Sequence, residues 1–150
     1  MYDYNKLYTL MERTVHKYNQ FENKRRHYAS GAEVTQAEIH TIACIGDNPG
    51  LNLTKLADIR GITKSAASQM VYRLRDKGLV KKQVSLNSDA EINIILTPIG
   101  QENYDAHKAY HATANDHFFQ ILKHMPEKTA EEMETLLREF DLALDEMLKK

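Results

Sequence analysis

The sequence predicts a mainly α-helical fold with one small β-hairpin, on three observations. Apolar residues recur at helical spacing over most of the 150 residues. They alternate at period two only in 79–84 and 91–96. Capping and turn residues punctuate the stretches between.

Residues 3–28 read as a first helix, with Leu7, Met11, Thr14, Tyr18 and Phe21 on one seam and Ser30-Gly31 breaking it. Thr35 and Glu38 form a capping box that opens a second helix, whose buried face is Ile39, Ile42, Ala43 and Gly46. After the turn Asp47-Asn48-Pro49-Gly50, Asn52 caps a short helix over 53–60 that buries Leu53, Leu56 and Ala57. Gly61 ends it, Thr63 caps a helix over 64–77, and Gly78 stops that one. A hairpin follows, with Val80, Val84, Ile92, Ile94 and Leu96 on its inner face and 85–90 as its loop. Thr97-Pro98 opens a long helix whose seam runs through Tyr104, His107, His111, Ala114, Phe118, Ile121 and Met125. Pro126 ends it. Thr129 and Glu132 are expected to cap a last helix, with Met133, Leu136, Leu137, Phe140, Leu144 and Met147 on one face.

Composition excludes several classes. Charged residues at 27% and hydrophobic residues at 42% are those of a globular chain. One cysteine makes neither an internal disulfide nor a Cys-based zinc site. No apolar run is long enough for a membrane span, and the N-terminal stretch lacks the pattern of a signal peptide. A cytoplasmic protein with no membrane partner is expected.

The net charge of −1 conceals a partition. Residues 53–82 hold Lys55, Arg60, Lys64, Arg73, Arg75, Lys77, Lys81 and Lys82 against Asp58 and Asp76 alone. Residues 83–107 hold no Lys or Arg, only Asp89, Glu91, Glu102 and Asp105. A basic block in an otherwise acidic chain suits a polyanion.

That block has the internal spacing of a helix-turn-helix over 53–77. Ala57 is small at the crossing, Gly61 makes the turn, and Ala67 and Met70 pack back. On the second helix Ala67, Met70, Val71 and Leu74 form the buried stripe. The opposite face offers Ser65, Ser68, Gln69 and Tyr72, flanked by Lys64, Arg73 and Arg75. Hydroxyls, an amide and a planar ring among cations suit base-edge reading with phosphate anchoring. Thr54, Lys55, Lys81 and Lys82 complete the expected contact set. With the hairpin as a wing, the fold class is a winged helix-turn-helix core (35–97, wing 79–96) between an N-terminal dimerisation helix (1–34) and C-terminal dimerisation helices (98–150). The terminal helices carry more apolar surface than a small monomer covers, so a homodimer is expected.

The chain resembles the MarR family of transcriptional regulators. The resemblance lies in Leu53-Thr54-Lys55-Leu56-Ala57, in Ile62 through Leu74, in Asp76-Lys77-Gly78-Leu79-Val80, and in Leu96-Thr97-Pro98-Ile99-Gly100, an LTxxG segment. It implies a homodimer reading a palindromic site on double-stranded DNA, usually as a repressor relieved by a ligand. By that analogy the ligand is a metal ion or a small aromatic effector. Family wings carry an Asp-x-Arg tip, whereas this one reads Ser85-Leu86-Asn87-Ser88-Asp89-Ala90-Glu91, with Ala90 or Glu91 at the Arg position. DNA affinity is therefore expected to rest on the recognition helix, Lys81 and Lys82. The acidic wing also supports the alternative of a winged-helix protein-interaction module with weak or no DNA binding.

His107 and His111 stand one helical turn apart, so both imidazoles can converge on one metal ion; a third ligand must come from elsewhere. The arrangement is similar to the zinc-sensing branch of the family. By that resemblance His40 falls on a second-helix ligand and Glu22 near a first-helix ligand. The branch's cysteine falls near His27 and Tyr28, and its acidic second-helix ligand falls on Ile39, which leaves the set incomplete. Zinc as a regulatory effector and His107/His111 as interfacial core histidines both stay open, and no cofactor is expected to be required. Cys44 reads as a packed thiol. No enzyme is expected: the His pair has no HExxH glutamate, and neither a nucleophile–base pair nor a phosphate loop is present.

Overall fold

The structure, a computed structural model, describes residues 1–85, 91–112 and 117–149. The element order is α1 (Tyr4–Glu22), β1 (Arg25–Arg26), β2 (Val34–Thr35), α2 (Gln36–Asp47), α3 (Leu53–Arg60), α4 (Lys64–Asp76), β3 (Val80–Val84), β4 (Ile92–Leu96), α5 (Pro98–Ala112), α6 (His117–Lys123) and α7 (Glu127–Leu148). The chain divides into two compact units, Met1–Ala109 and Tyr110–Lys150, with α5 continuous across the division.

In the first unit, four caps act where their residue types place them. Thr35 Oγ1 accepts from Glu38 N, while the Glu38 carboxylate accepts from Thr35 N, a complete capping box. Asn52 Oδ1 accepts from Lys55 N, Thr63 Oγ1 from Ala66 N, and Thr97 Oγ1 from Gly100 N. Gly61 holds φ 61°, the left-handed value that lets α3 stop and α4 start within three residues. Between these helices lies the core: Val34, Ile39, Ile42, Ile45, Leu51, Leu56, Ala57, Ala67, Val71, Leu74, Leu79, Val80 and Ile94. Burying each large aliphatic side chain there contributes about 1.5–3 kcal/mol before entropy is set against it.

The hairpin pairs Val80 with Leu96 and Val84 with Ile92, antiparallel. Its base is anchored twice over, by Ile94 N donating to Leu51 O and by Thr97 N donating to Leu79 O.

Several sequence expectations need correction. The first helix does not reach residue 28. It ends at Glu22, because Asn23 caps it and the next residues leave for a strand pair, Arg25 opposite Thr35 and Arg26 opposite Val34. Val84 and Ile92 are not on a buried face; both lie beyond the core's edge and are over half exposed. On α2, Ala43 and Gly46 are only half-buried, while Thr41, Cys44 and Ile45 are buried, so the helix is wrapped on more than one face. The last helix begins at Glu127, directly after Pro126 and with no side-chain cap, so Thr129 lies inside it. His111 is exposed although its seam neighbour His107 is buried. The seam from Tyr104 to Met125 is carried by α5 and α6; Ala114 and the wing residues 86–90 fall outside the described residues. Neither α1 nor α7 buries any residue. Among the described residues no helix is long and apolar enough to cross a membrane.

Candidate nucleic-acid interface and histidine cluster

α4 turns Ala67, Val71 and Leu74 into the core, and helical periodicity then leaves Lys64, Ser65, Ser68, Gln69, Tyr72, Arg73 and Arg75 exposed. Ser68, Gln69, Tyr72 and Arg73 line one shallow recess on that face. The Arg75 guanidinium lies 5.1 Å from the Tyr72 ring centroid, a cation–π contact that restrains both. Thr54 and Lys55 are exposed in the first turn of α3, and Lys81 and Lys82 on β3. Every side chain the sequence assigns to DNA contact is thus at the surface of one helix pair and its hairpin.

Lys77 of the basic block is committed to partners within the fold. Lys77 Nζ donates to Glu38 Oε2 at 2.7 Å and to Glu33 O at 2.8 Å, which ties the end of α4 to the start of α2. Glu91, the acid at the foot of the wing, accepts from Asn52 Nδ2 at 2.6 Å. Asn52 therefore caps α3 with its oxygen and holds the wing with its nitrogen.

A second cluster lies on α1, α2 and α5. His40, His107 and His111 each offer a ring nitrogen, and these nitrogens all lie within 4.8 Å of one another. Helix α5 itself sets His107 and His111 one turn apart, and the His40 and His107 ring centroids are 5.4 Å apart. Glu22 is not one of the three. Its Oε1 sits 3.1 Å from His40 Nδ1, the position of a carboxylate that orients an imidazole. His40 Nε2 is 3.1 Å from Gln36 Nε2, and Gln36 Oε1 accepts from the Tyr28 hydroxyl at 2.6 Å. Tyr28 also meets His107 edge-on. Three imidazoles of nitrogen chemistry, one oriented by a carboxylate, fit a borderline-soft ion such as Zn²⁺.

Gln36 escaped the sequence reading, as did the contacts of Tyr28 and of Arg60, which lies 3.9 Å from Glu22 Oε2. No local spacing signals them, because their partners come from other elements. Cys44 is buried, and burial pushes its thiol pKa up, in keeping with a packed role.

A short helix, a glycine turn, an exposed polar second helix and an antiparallel hairpin define a winged helix-turn-helix protein. Residues 34–89, which hold the helix-turn-helix and most of the wing, match the model of the MarR family. The chain is 29% identical over 112 residues to YhjH, an uncharacterized HTH-type transcriptional regulator of Bacillus subtilis (strain 168); the match covers 75% of this chain and 64% of that protein's length. Among solved structures, FabT of Streptococcus pneumoniae in complex with DNA superposes with a TM-score of 0.68 at 18% identity, covering 97% of this chain and 99% of that one. ZitR of Lactococcus lactis, a zinc-responsive MarR family member, superposes with a TM-score of 0.63 at 12% identity, covering 93% and 97%.

Proposed function

We propose that this protein is a DNA-binding transcriptional regulator, not an enzyme. It acts as a homodimer and a repressor on a palindromic site, with residues 35–97 as the DNA-binding domain and 1–34 and 98–150 as dimerisation segments. The observation that carries the reading is the exposed face of α4, where Ser65, Ser68, Gln69 and Tyr72 stand among Lys64, Arg73 and Arg75. Gln69 reads a base edge; Arg73, Arg75, Lys81 and Lys82 neutralise phosphates. The FabT complex with DNA, a protein of the same fold, supports it.

The effector in this reading is a transition-metal ion of the zinc type, held by His40, His107 and His111. Glu22 serves as a fourth ligand or as the carboxylate that orients His40. Support comes from the convergence of the three imidazoles and from the zinc response stated for ZitR. The ion would supply charge and a fixed geometry to this cluster, and no chemistry on a substrate.

The test is duplex binding across a salt series, with a duplex selected from a random pool by the wild-type protein. Affinity should fall with salt by about 0.9 log units per neutralised phosphate per log unit of salt. Arg73→Ala should flatten that slope by about one contact, and Gln69→Ala should cost about 1–3 kcal/mol on the selected duplex while sparing random DNA. Salt-independent binding, or wild-type affinity in both variants, would sink the assignment. The interaction-module alternative draws on one observation, the acid Glu91 held at the foot of the wing, and predicts no duplex binding at all.

A further inference from the structure

We infer that Glu22 and Arg60 form the link through which occupancy of the histidine cluster reaches the helix-turn-helix, with Arg60 as the positioning residue. This rests on the metal-responsive reading above.

One nearly buried carboxylate is shared by three elements. Glu22 is the last residue of α1, and its side chain is 14% exposed. Its Oε1 lies 3.1 Å from His40 Nδ1 on α2, and its Oε2 lies 3.9 Å from Arg60 Nη2 on α3. Tyr18, one turn earlier on α1, also hydrogen-bonds Glu22, and that bond joins burial and the carboxylate's charge in raising the tyrosine's pKa. A carboxylate so poorly hydrated depends on its partners for compensation, so a change at one partner is felt at the others.

His40 is the partner that a bound cation changes. If His40 ligates through Nε2, its Nδ1–H becomes a stronger donor and draws Glu22 towards α2. If it ligates through Nδ1, Glu22 loses its 3.1 Å contact with that nitrogen and is free to ligate as well or to turn to Arg60. In both cases the balance between His40 and Arg60 at Glu22 shifts. The Glu22–Arg60 separation of 3.9 Å leaves room for the shift; closing by about 1 Å would reach the length of a charge-assisted hydrogen bond.

Arg60 stands where a small movement matters. It is the last residue of α3, and Gly61, at φ 61°, turns the chain into α4. The turn is held by Gly61 N donating to Asp58 O and Ile62 N donating to Ala57 O. A pull on the Arg60 side chain therefore acts at the pivot between the two helices of the helix-turn-helix, away from the exposed face that meets DNA. The coupling is reciprocal by thermodynamic necessity: whatever factor zinc applies to DNA affinity, DNA applies to zinc affinity.

The experiment compares full-length wild type with Arg60→Met, Arg60→Gln and Arg60→Lys. Zinc affinity is read by competition with a chromophoric chelator, and affinity for the selected duplex is read with and without Zn²⁺. In the wild type, zinc should change duplex affinity by a factor of about 5 to 150, the usual range of such coupling. Arg60→Met and Arg60→Gln should still take up zinc and should hold metal-free duplex affinity within about threefold, while the zinc effect on DNA collapses towards one; Arg60→Lys should retain it. Should Arg60→Met fail to fold by circular dichroism, Arg60→Gln carries the comparison. Hydrogen exchange on the wild type checks the same link without a variant: zinc should alter protection of the Gly61 and Ile62 amides. Wild-type coupling preserved in Arg60→Met or Arg60→Gln overturns the link alone and leaves the metal reading standing. Unchanged protection at Gly61 and Ile62 does the same. A wild type that takes up no zinc overturns both.

Discussion

Gly100 shows how a single residue can be prominent in sequence for a reason only the fold supplies. A Cβ built there would sit 1.9 Å from the Leu79 carbonyl oxygen, a backbone atom in the strand entry that cannot swing away. The same carbonyl accepts from Thr97 N, so moving it would break the bond that docks β4 on β3. Gly100→Ala should therefore lower stability by about 3 kcal/mol or more, at the high end for overpacking. Urea unfolding followed by circular dichroism measures it, and a midpoint within error of wild type would contradict the packing. The sequence marks Gly100 by the LTxxG pattern; the carbonyl it must clear lies 21 positions earlier and leaves no local trace. Glu22 and His40 illustrate the same limit. The sequence flags both as candidate ligands, yet the ion pair between them and the third partner Arg60 come from three different helices. Residues such as Thr35, Asn52 and Thr63 were legible for the opposite reason: each acts on a backbone group three positions away.

At the scale of elements, legibility follows the same division. The helix pair α3–α4 is read from the sequence almost to the residue, because its caps, its glycine turn and its buried stripe are all local. The end of α1 is not, since a two-residue strand pairing with Val34 and Thr35 interrupts the periodic pattern from a distance. Alternation likewise overstated the hairpin, because Val84 and Ile92 keep the period after the core beneath them has run out. The wing also carries a prediction of its own. Glu91 places a carboxylate at the foot of the wing, where it accepts from Asn52 Nδ2. Glu91→Gln retains a carbonyl for Asn52 Nδ2 and removes the charge. Duplex affinity at low salt should rise by about twofold, since one charge some 10 Å from a phosphate in water is worth only ~0.4 kcal/mol, and the gain should vanish by about 0.5 M salt through screening. Fluorescence anisotropy at two salt concentrations decides it; equal affinities at low salt would mean that the wing foot does not approach the duplex.

The whole molecule poses a question of coverage. α7 runs for 22 residues and buries none of them. Yet Met133, Leu136, Leu137, Phe140, Leu144 and Met147 recur at three- and four-residue spacing and stand 39–70% exposed. α1 repeats the situation with Leu7, Leu10, Val15 and Tyr18. Helices gain most of their stability by burying such a face, so each of these two long ones calls for a covering surface, and the proposed homodimer would supply it. A second copy is the simplest source, because a two-fold axis lets each helix cover its equivalent, and it would give two α4 helices the symmetry of a palindromic site. Sedimentation equilibrium should then return twice the chain mass for the wild type. Leu137→Glu together with Leu144→Glu would place carboxylates on that face and should yield monomers. Binding to a duplex carrying both half-sites should weaken by about 10²-fold or more, because the second half-site contact is no longer made at high effective concentration. Binding to a single half-site should change little, as neither substitution touches α4. That contrast separates loss of pairing from loss of the DNA-reading surface: equal weakening on both duplexes would point to a damaged fold, and a wild type of single-chain mass would remove the dimer from the proposal.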